Sequence, residues 1–150
     1  TMSTMVGRTL GGSPDTPENR WDVSAFPPSA VVVDLGVNDG LSLNASVSKA
    51  NATQWAAGML SLAQRYPKGT PILLLVGPWL PQGVDCGVLC EFTKGAVAHG
   101  RAAGYSMSYY RTPAGSVPRN STSCGGHPEA DAHEAMAAQL TPLLRQMLGW

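Results

Sequence analysis

Two uninterrupted apolar runs constrain the fold of this 150-residue chain more than any other feature. The segment "AVVVDL" occupies residues 30–35, and "PILLLVG" occupies residues 71–77. Continuous runs of β-branched and aliphatic residues are typical of strands that are covered on both faces. The roughly thirty-five residues between them suit a helical crossover between parallel strands. The chain is therefore predicted to build a parallel sheet.

The segments after the first strand continue the alternation of helix and strand. Apolar residues at helical spacing predict helices over 50–66 and near 88–103, and "YSMSYY" (105–110) predicts a third strand. Residues 1–29 are rich in Gly, Pro and Ser and are expected to be mostly loop. The order predicts an α/β fold, a three-layer α/β/α sandwich with a mostly parallel sheet, formed by residues 1–150 as a single domain.

The last helix is predicted to start at His127-Pro128, where a proline at the first helical position loses no hydrogen bond. Pro142 is expected to kink or split this helix. His133 falls on the apolar stripe with Met136, which favours a packed, hydrogen-bonded core histidine over a ligand-binding one.

Composition excludes several classes of partner. Ten acidic and ten basic residues give a formal charge of zero, and no cluster of Lys or Arg occurs. We therefore expect no nucleic acid and no membrane as partner. Glycosylation sequons begin at Asn44, Asn51 and Asn120, which favours a secreted or extracytoplasmic protein over chance occurrence.

Polar residues follow the first strand directly, in "GVNDG". Parallel sheets bind ligands beyond the carboxyl ends of their strands. Gly36 allows close approach to backbone, and the Asn38 amide can donate to a developing oxyanion, although an Asx-type turn of Asn38 and Asp39 is the structural alternative. His127, on a glycine-rich loop, has the exposed setting that a general base needs, or is a loop histidine without a ligand.

The three cysteines leave three interpretations open. Cys86 and Cys90 either form a disulfide or remain thiols, or they join Cys124 and His127 in a Cys3His zinc set. The zinc set explains less of the sequence, so no metal is expected. No glycine-rich phosphate loop precedes a helix, and no cofactor is expected either.

Taken together, these motifs resemble the SGNH (GDSL-like) hydrolase family, and most closely the acetyl esterases of carbohydrate esterase family 2. The resemblance runs through "WDVSAFPPSAVVVDLGVNDG", "ILLLVGPWL" and "SCGGHPEADAHEAMAAQL", and covers roughly residues 20–148. It implies a flavodoxin-like sandwich and an ester hydrolase that deacetylates a carbohydrate by Ser-His acyl transfer.

The resemblance also implies roles for individual residues. The Gly36 N–H and the Asn38 side chain would form the oxyanion hole, and His127 would act as general base and then acid. Asp39 and Trp79 would lie against the substrate, a small acyl ester or an acetylated carbohydrate.

Two positions depart from the family pattern. The nucleophilic serine of the family lies in a G-D-S motif after an earlier strand, and Ser13 in "LGGSPD" does not match because no apolar strand precedes it. We therefore expect the chain to begin after the nucleophile block, to lack the first strand, and to be inactive and prone to self-association in isolation. Cys124 stands where many members have the aspartate of the triad, with Glu129 and Asp131 as weaker substitutes.

Two other functions remain open at this point. A non-catalytic carbohydrate-binding module or pseudoenzyme could keep the fold without the serine, with Trp79 and Trp55 stacking on sugar, although Trp55 more readily packs in its helix. Cys124 is the less favoured candidate for an alternative nucleophile working with His127.

Overall fold

A computed structural model of the chain describes residues 14, 16–36, 49–78, 86–118 and 127–150. Within them, three strands alternate with three helices, after a short 3-10 turn at Pro17–Asn19. The elements are β1 (Val31–Asp34), α1 (Lys49–Ala63), β2 (Ile72–Val76), α2 (Gly87–Ala102), β3 (Met107–Arg111) and α3 (Ala130–Leu148). None of the described helices is long and apolar enough to cross a membrane.

The three strands form a parallel sheet in the order β1-β2-β3. The register places Val33 beside Leu74 and Leu74 beside Tyr109. Crossover helices between parallel neighbours are the only short way to connect such strands. The predicted parallel sheet is confirmed.

Helices α1 and α2 pack side by side against one face of the sheet. Trp55, Met59 and Leu62, three or four residues apart, turn toward the sheet from α1, because residues at that spacing share one face of a helix. The core cluster on this face consists of Val33, Met59, Leu62, Ala63, Ile72, Leu74, Ala96, Val97 and Met107, all buried. Gly104, at φ +86°, ends the turn after α2, and the next N–H, that of Tyr105, reaches the Gly100 carbonyl oxygen at 3.0 Å.

Helix α3 covers the opposite face. The Ser108 hydroxyl on β3 lies 3.7 Å from the sulfur of Met147, and the Tyr110 hydroxyl donates to the Gln139 side chain at 3.1 Å. Ser108 and Tyr110 alternate with Met107 and therefore point away from α1 and α2. The predicted three-layer α/β/α sandwich is confirmed.

The prediction that both strands are covered on both faces holds for β2 and is wrong for β1. Every residue of β2 is buried, whereas Val32 remains 43% exposed and Asp34 is exposed. β2 has a strand on each side, while β1 lies at one end of the order within the described residues. The composition of an apolar run does not register that difference.

Two predictions for the last helix are corrected, and one alternative of a third is ruled out. The helix begins at Ala130 with Glu129 as N-cap, so Pro128 precedes it. It continues through Pro142 without splitting, which leaves the kink at Pro142 as a prediction. One absent N–H removes a single backbone bond, and apolar residues on both sides of Pro142 still contact the protein. His133 is exposed and lies outside the core, because the most buried position of the stripe is the adjacent Ala132.

Candidate active site

The described candidate residues, Gly36 and His127, both lie beyond the edge of the sheet at the carboxyl ends of the strands. Gly36 lies two residues beyond the end of β1. Helix α3 runs opposite to the strands, since Gln139 contacts the last part of β3 and Met147 contacts its first part. His127, three residues before α3, therefore lies beyond the same edge as Gly36. Asn38, Asp39, Trp79 and Cys124 fall outside the described residues, as does Ser13.

Gly36 is buried and has φ +98°, a left-handed conformation that glycine adopts without strain. A Cβ atom on this residue would overlap Cη2 of Trp55 and would lie 2.8 Å from Cδ1 of Leu89. Both side chains therefore pack directly on the backbone of Gly36. Glycine is required here for its backbone angle and for its lack of a side chain.

Trp55 connects the two core clusters of the α1–α2 face, since it packs on both. The prediction that it packs in its helix is confirmed. Its indole Nε1–H is buried and has no hydrogen-bond partner among the described residues. Buried donors without a partner are rare, and those that occur warrant a functional explanation.

The second cluster lies under the start of α2 and contains a disulfide. Cys86 and Cys90 are bonded to each other and are buried with Val76 and Leu89. The Tyr109 hydroxyl on β3 lies 2.7 Å from the Cys90 sulfur, and it is the donor because a disulfide sulfur carries no proton. The Cys86–Cys90 disulfide is thus the correct alternative, and neither sulfur is available as a thiolate ligand for zinc.

Asp34 links the ends of β1 and β2, a contact that the sequence analysis missed. Its carboxylate accepts a hydrogen bond from the backbone N–H of Gly77, which directly follows β2. Although the residue as a whole is exposed, partial desolvation of its carboxyl group raises the pKa of Asp34, and the hydrogen bond from Gly77 opposes that rise. An aspartate within an otherwise apolar run was the available signal.

His127 is exposed, as predicted for a general base. Of the carboxylates considered as substitutes in a triad, Glu129 is half-buried at the start of α3, and Asp131 accepts a hydrogen bond from the Ala132 N–H at 2.8 Å. Further along α3, the Gln139 amide nitrogen donates to the Ser116 carbonyl and hydroxyl oxygens at 3.2 and 3.0 Å. Gln139 therefore fixes α3 against the loop that follows β3.

Two comparisons with known proteins identify relatives. The chain is 30% identical over 139 aligned positions to a cellulase/esterase, CelE, of Acetivibrio thermocellus. It matches in fold an active-site mutant of a family two carbohydrate esterase from Clostridium thermocellum, determined in complex with a cello-oligosaccharide, with a TM-score of 0.76 and 26% identity. No protein-family profile matches the chain.

The extent of these matches is unequal between the chain and its relatives. The sequence match covers 87% of this chain and 16% of the cellulase/esterase, and the structural match covers 98% of this chain and 43% of the esterase. The chain thus spans less than half the length of each relative. The resemblance to family 2 carbohydrate esterases, predicted from the sequence, is confirmed.

Proposed function

We propose that this chain contributes the catalytic histidine and the oxyanion donors of a carbohydrate esterase that removes acetyl groups from a polysaccharide. The observation that carries the proposal is the position of Gly36 and His127 beyond the same edge of the parallel sheet. Both relatives are esterases by name, which supports ester hydrolysis as the reaction.

The proposed reaction is acyl transfer through a serine. His127 takes the proton of the serine hydroxyl as the oxygen attacks the ester carbonyl, and then gives it to the departing alkoxide. The Asn38 amide and the Gly36 N–H donate to the oxyanion of the tetrahedral intermediate. Removing one such donor typically lowers kcat by about 10²–10³. Water then hydrolyses the acyl-enzyme with His127 again as base.

The nucleophilic serine is proposed to lie outside residues 1–150. Residues 1–150 contain no serine in a G-D-S motif after a strand. Among the described serines, Ser24 directs its hydroxyl to the Asp22 carboxylate at 2.6 Å, and Ser116 hydrogen-bonds to Pro113 and Gln139. Neither has a histidine as its recorded partner.

The proposed substrate is an acetylated β-glucan or a related polysaccharide. The structural relative was determined with a cello-oligosaccharide, which supports a sugar-binding surface on this fold. Trp79 would supply the aromatic wall and Asp39 a hydrogen-bonding group, since pyranose rings stack on aromatic side chains and donate hydroxyl protons to carboxylates.

Hydrolysis of p-nitrophenyl acetate and of an acetylated cello-oligosaccharide tests the reaction. We expect the longest gene product that contains residues 1–150 to be active and His127→Ala to lower its kcat by about 10³ or more. His133→Ala, an exposed histidine on α3, is the matched control and should leave kcat unchanged. Residues 1–150 alone should give background rates. Turnover by residues 1–150 that persists in every serine variant would contradict the proposed nucleophile.

A non-catalytic carbohydrate-binding module is the second candidate function. It is favoured by the lack of a serine in the family motif and by the sugar held by an active-site mutant of the relative. Calorimetric titration with unsubstituted and with acetylated cello-oligosaccharide, together with an assay for acetate released from the acetylated one, separates the two functions. A binding module would bind the unsubstituted oligosaccharide as tightly as the acetylated one and would release no acetate, whereas an esterase would release acetate.

We also propose that the protein works in an extracytoplasmic compartment. The Cys86–Cys90 disulfide supports this, because disulfides persist in oxidising compartments. Asn51, the first residue of one sequon, is exposed on α1 and accessible to modification. Mass spectrometry of the protein isolated from its source, before and after reduction, would detect the disulfide; two free thiols would contradict this localisation.

A further inference from the structure

We propose that Trp55 is a positioning residue that holds Gly36, and with it the backbone N–H assigned above to the oxyanion hole, in the geometry needed for hydrolysis. This inference rests on the proposed esterase function. Trp55 itself lies on α1, one crossover away from the strand. Nothing in its sequence context singles it out as more than a core residue.

The contact between Trp55 and Gly36 is direct. The distal edge of the indole, Cη2 and Cζ2, packs where a Cβ of Gly36 would stand, with Cζ2 at 3.1 Å from that position. Leu89 closes the same space from α2. Gly36 therefore has a side chain from each neighbouring helix against its backbone, and its position depends on α1 and α2 as well as on β1.

The partners of Trp55 are themselves held in place. Leu89 sits within the turn that the Cys86–Cys90 disulfide closes, and the Tyr109 hydroxyl on β3 donates to Cys90. Trp55 packs on this cluster and on the larger core cluster that includes Met59 and Leu62. The indole thus connects Gly36, the first residue of the G-x-N-D motif, to a part of the core that a disulfide cross-links.

Oxyanion stabilisation depends strongly on such positions. Donors act when they lie about 2.7–3.1 Å from the site of the developing negative charge, and a displacement of about 1 Å can cost about 10²-fold in rate. Without the indole, a cavity would open beside Gly36, and Gly36 could move into it. Most of the loss would fall on the chemical step, because an oxyanion donor acts mainly on the charge that develops in the transition state.

The contribution of the indole ring's packing can be distinguished from that of its N–H group. Nε1–H is buried and has no partner among the described residues, so no described hydrogen bond holds Trp55 in place. Positioning by packing predicts that an aromatic ring without the N–H, as in Trp55→Phe, retains part of the effect. Trp55→Ala should retain none of it.

The test compares these variants in the longest gene product that contains residues 1–150, by steady-state hydrolysis of an acetyl ester. We expect Trp55→Ala to lower kcat by about 10–100-fold with KM changed less than about 3-fold, and Trp55→Phe to lower kcat by a smaller but measurable factor, about 2–10-fold. Trp21→Ala is the matched control, since Trp21 is 49% exposed and stacks on Phe26 away from the turn. It should leave both constants unchanged.

Thermal unfolding shows whether the variants are folded and tests the contact itself. Gly36→Ala should lower Tm less in the Trp55→Phe background than in the wild type, because part of the overlap is relieved. Should Trp55→Ala fail to fold, Trp55→Phe alone decides the question: a folded variant with unchanged kcat would overturn the positioning role. A wild-type protein without esterase activity would end the proposed function and this role together, whereas an active protein with unaffected Trp55 variants would end this role alone.

Discussion

The two faces of the sheet differ in how tightly they are packed. On the α1–α2 face, the core cluster is buried throughout, with Ile72, Ala63 and Ala96 fully inaccessible. On the α3 face, Leu73 and Leu75 of β2 are buried, but the large apolar residues of the helix are only half-buried, and Val32 and Asp34 of β1 are exposed. Gly36 is anchored to the first face, while His127 is attached through α3 to the second.

This difference places the two halves of the candidate site on supports of unequal stiffness. Close-packed interiors hold backbone positions firmly, because any shift must open a void or force an overlap. A half-buried helix is held by fewer contacts and opens at lower free energy. Of the two candidate residues, Gly36 is therefore the more firmly held, and His127, three residues before α3, is the less firmly held.

Truncating an apolar side chain on each face of the sheet should give the largest difference in the free energy of unfolding. Leu74→Ala removes a side chain that is 2% exposed at the centre of the α1–α2 face, and should lower the free energy of unfolding by about 3–4 kcal/mol. The same change at half-buried Leu144 on α3 should cost only about 1–2 kcal/mol. Urea unfolding of residues 1–150 measures both. Equal losses would show that the two faces are packed alike.

Removing the disulfide should have the next largest effect. Replacing Cys86 and Cys90 together by alanine frees a five-residue loop and should lower the free energy of unfolding by about 2 kcal/mol. Denaturant unfolding with and without reductant provides the control, because reductant should destabilise the wild type and leave the double variant unaffected. If reductant still destabilises the double variant, the loss of stability that it causes does not come from the Cys86–Cys90 disulfide.

The sequence predicted the elements and their order because each carries its own local signal. The runs at 30–35 and 71–77 and the helical spacing of Trp55, Met59 and Leu62 all predicted elements that the structure contains within a few residues. The proposal that a ligand binds at the carboxyl edge of the sheet also rests on a general behaviour of parallel sheets, and it stays a prediction. These features depend on neighbours in the chain, which a sequence displays directly.

What the sequence did not predict depends on neighbours in space. The exposure of Val32 depends on which strand and helix lie beside it, and three consecutive valines do not encode that. His133 shares its helical spacing with a buried stripe, yet a rotation of the helix by one residue buries Ala132 instead. The hydrogen bond from Gly77 to Asp34 joins residues that are more than forty positions apart.

The hydrogen bond from Tyr109 to the disulfide connects the sheet to α2 on the α1–α2 face, and removing it tests how much this connection stabilises the protein. Tyr109→Phe removes the hydroxyl that donates to Cys90 and should lower the free energy of unfolding by about 0.5–1 kcal/mol, since sulfur is a weak acceptor. The matched control is Tyr110→Phe on the α3 face, which loses the bond to Gln139. If the hydroxyl of Tyr109 couples β3 to the disulfide, the loss of stability caused by Tyr109→Phe should change when the disulfide is first reduced. The loss caused by Tyr110→Phe should not change on reduction.

The smallest effect on the free energy of unfolding is expected from the charge of Asp34 on the α3 face. Burial raises the pKa of Asp34 in the folded protein, so the unfolded chain binds fewer protons at this position than the folded one. Its contribution to stability is therefore present below the unfolded pKa and is lost as the pH rises through the folded pKa. Asp34→Asn keeps an acceptor for the Gly77 N–H and removes the charge. We expect the variant to be at least as stable as the wild type at neutral pH, and to lack this part of the acidic pH dependence in urea unfolding. A variant that is markedly less stable at neutral pH would show that the ionised carboxylate is the better acceptor for the Gly77 N–H. A charge-assisted hydrogen bond would then stabilise the α3 face at this edge of the sheet.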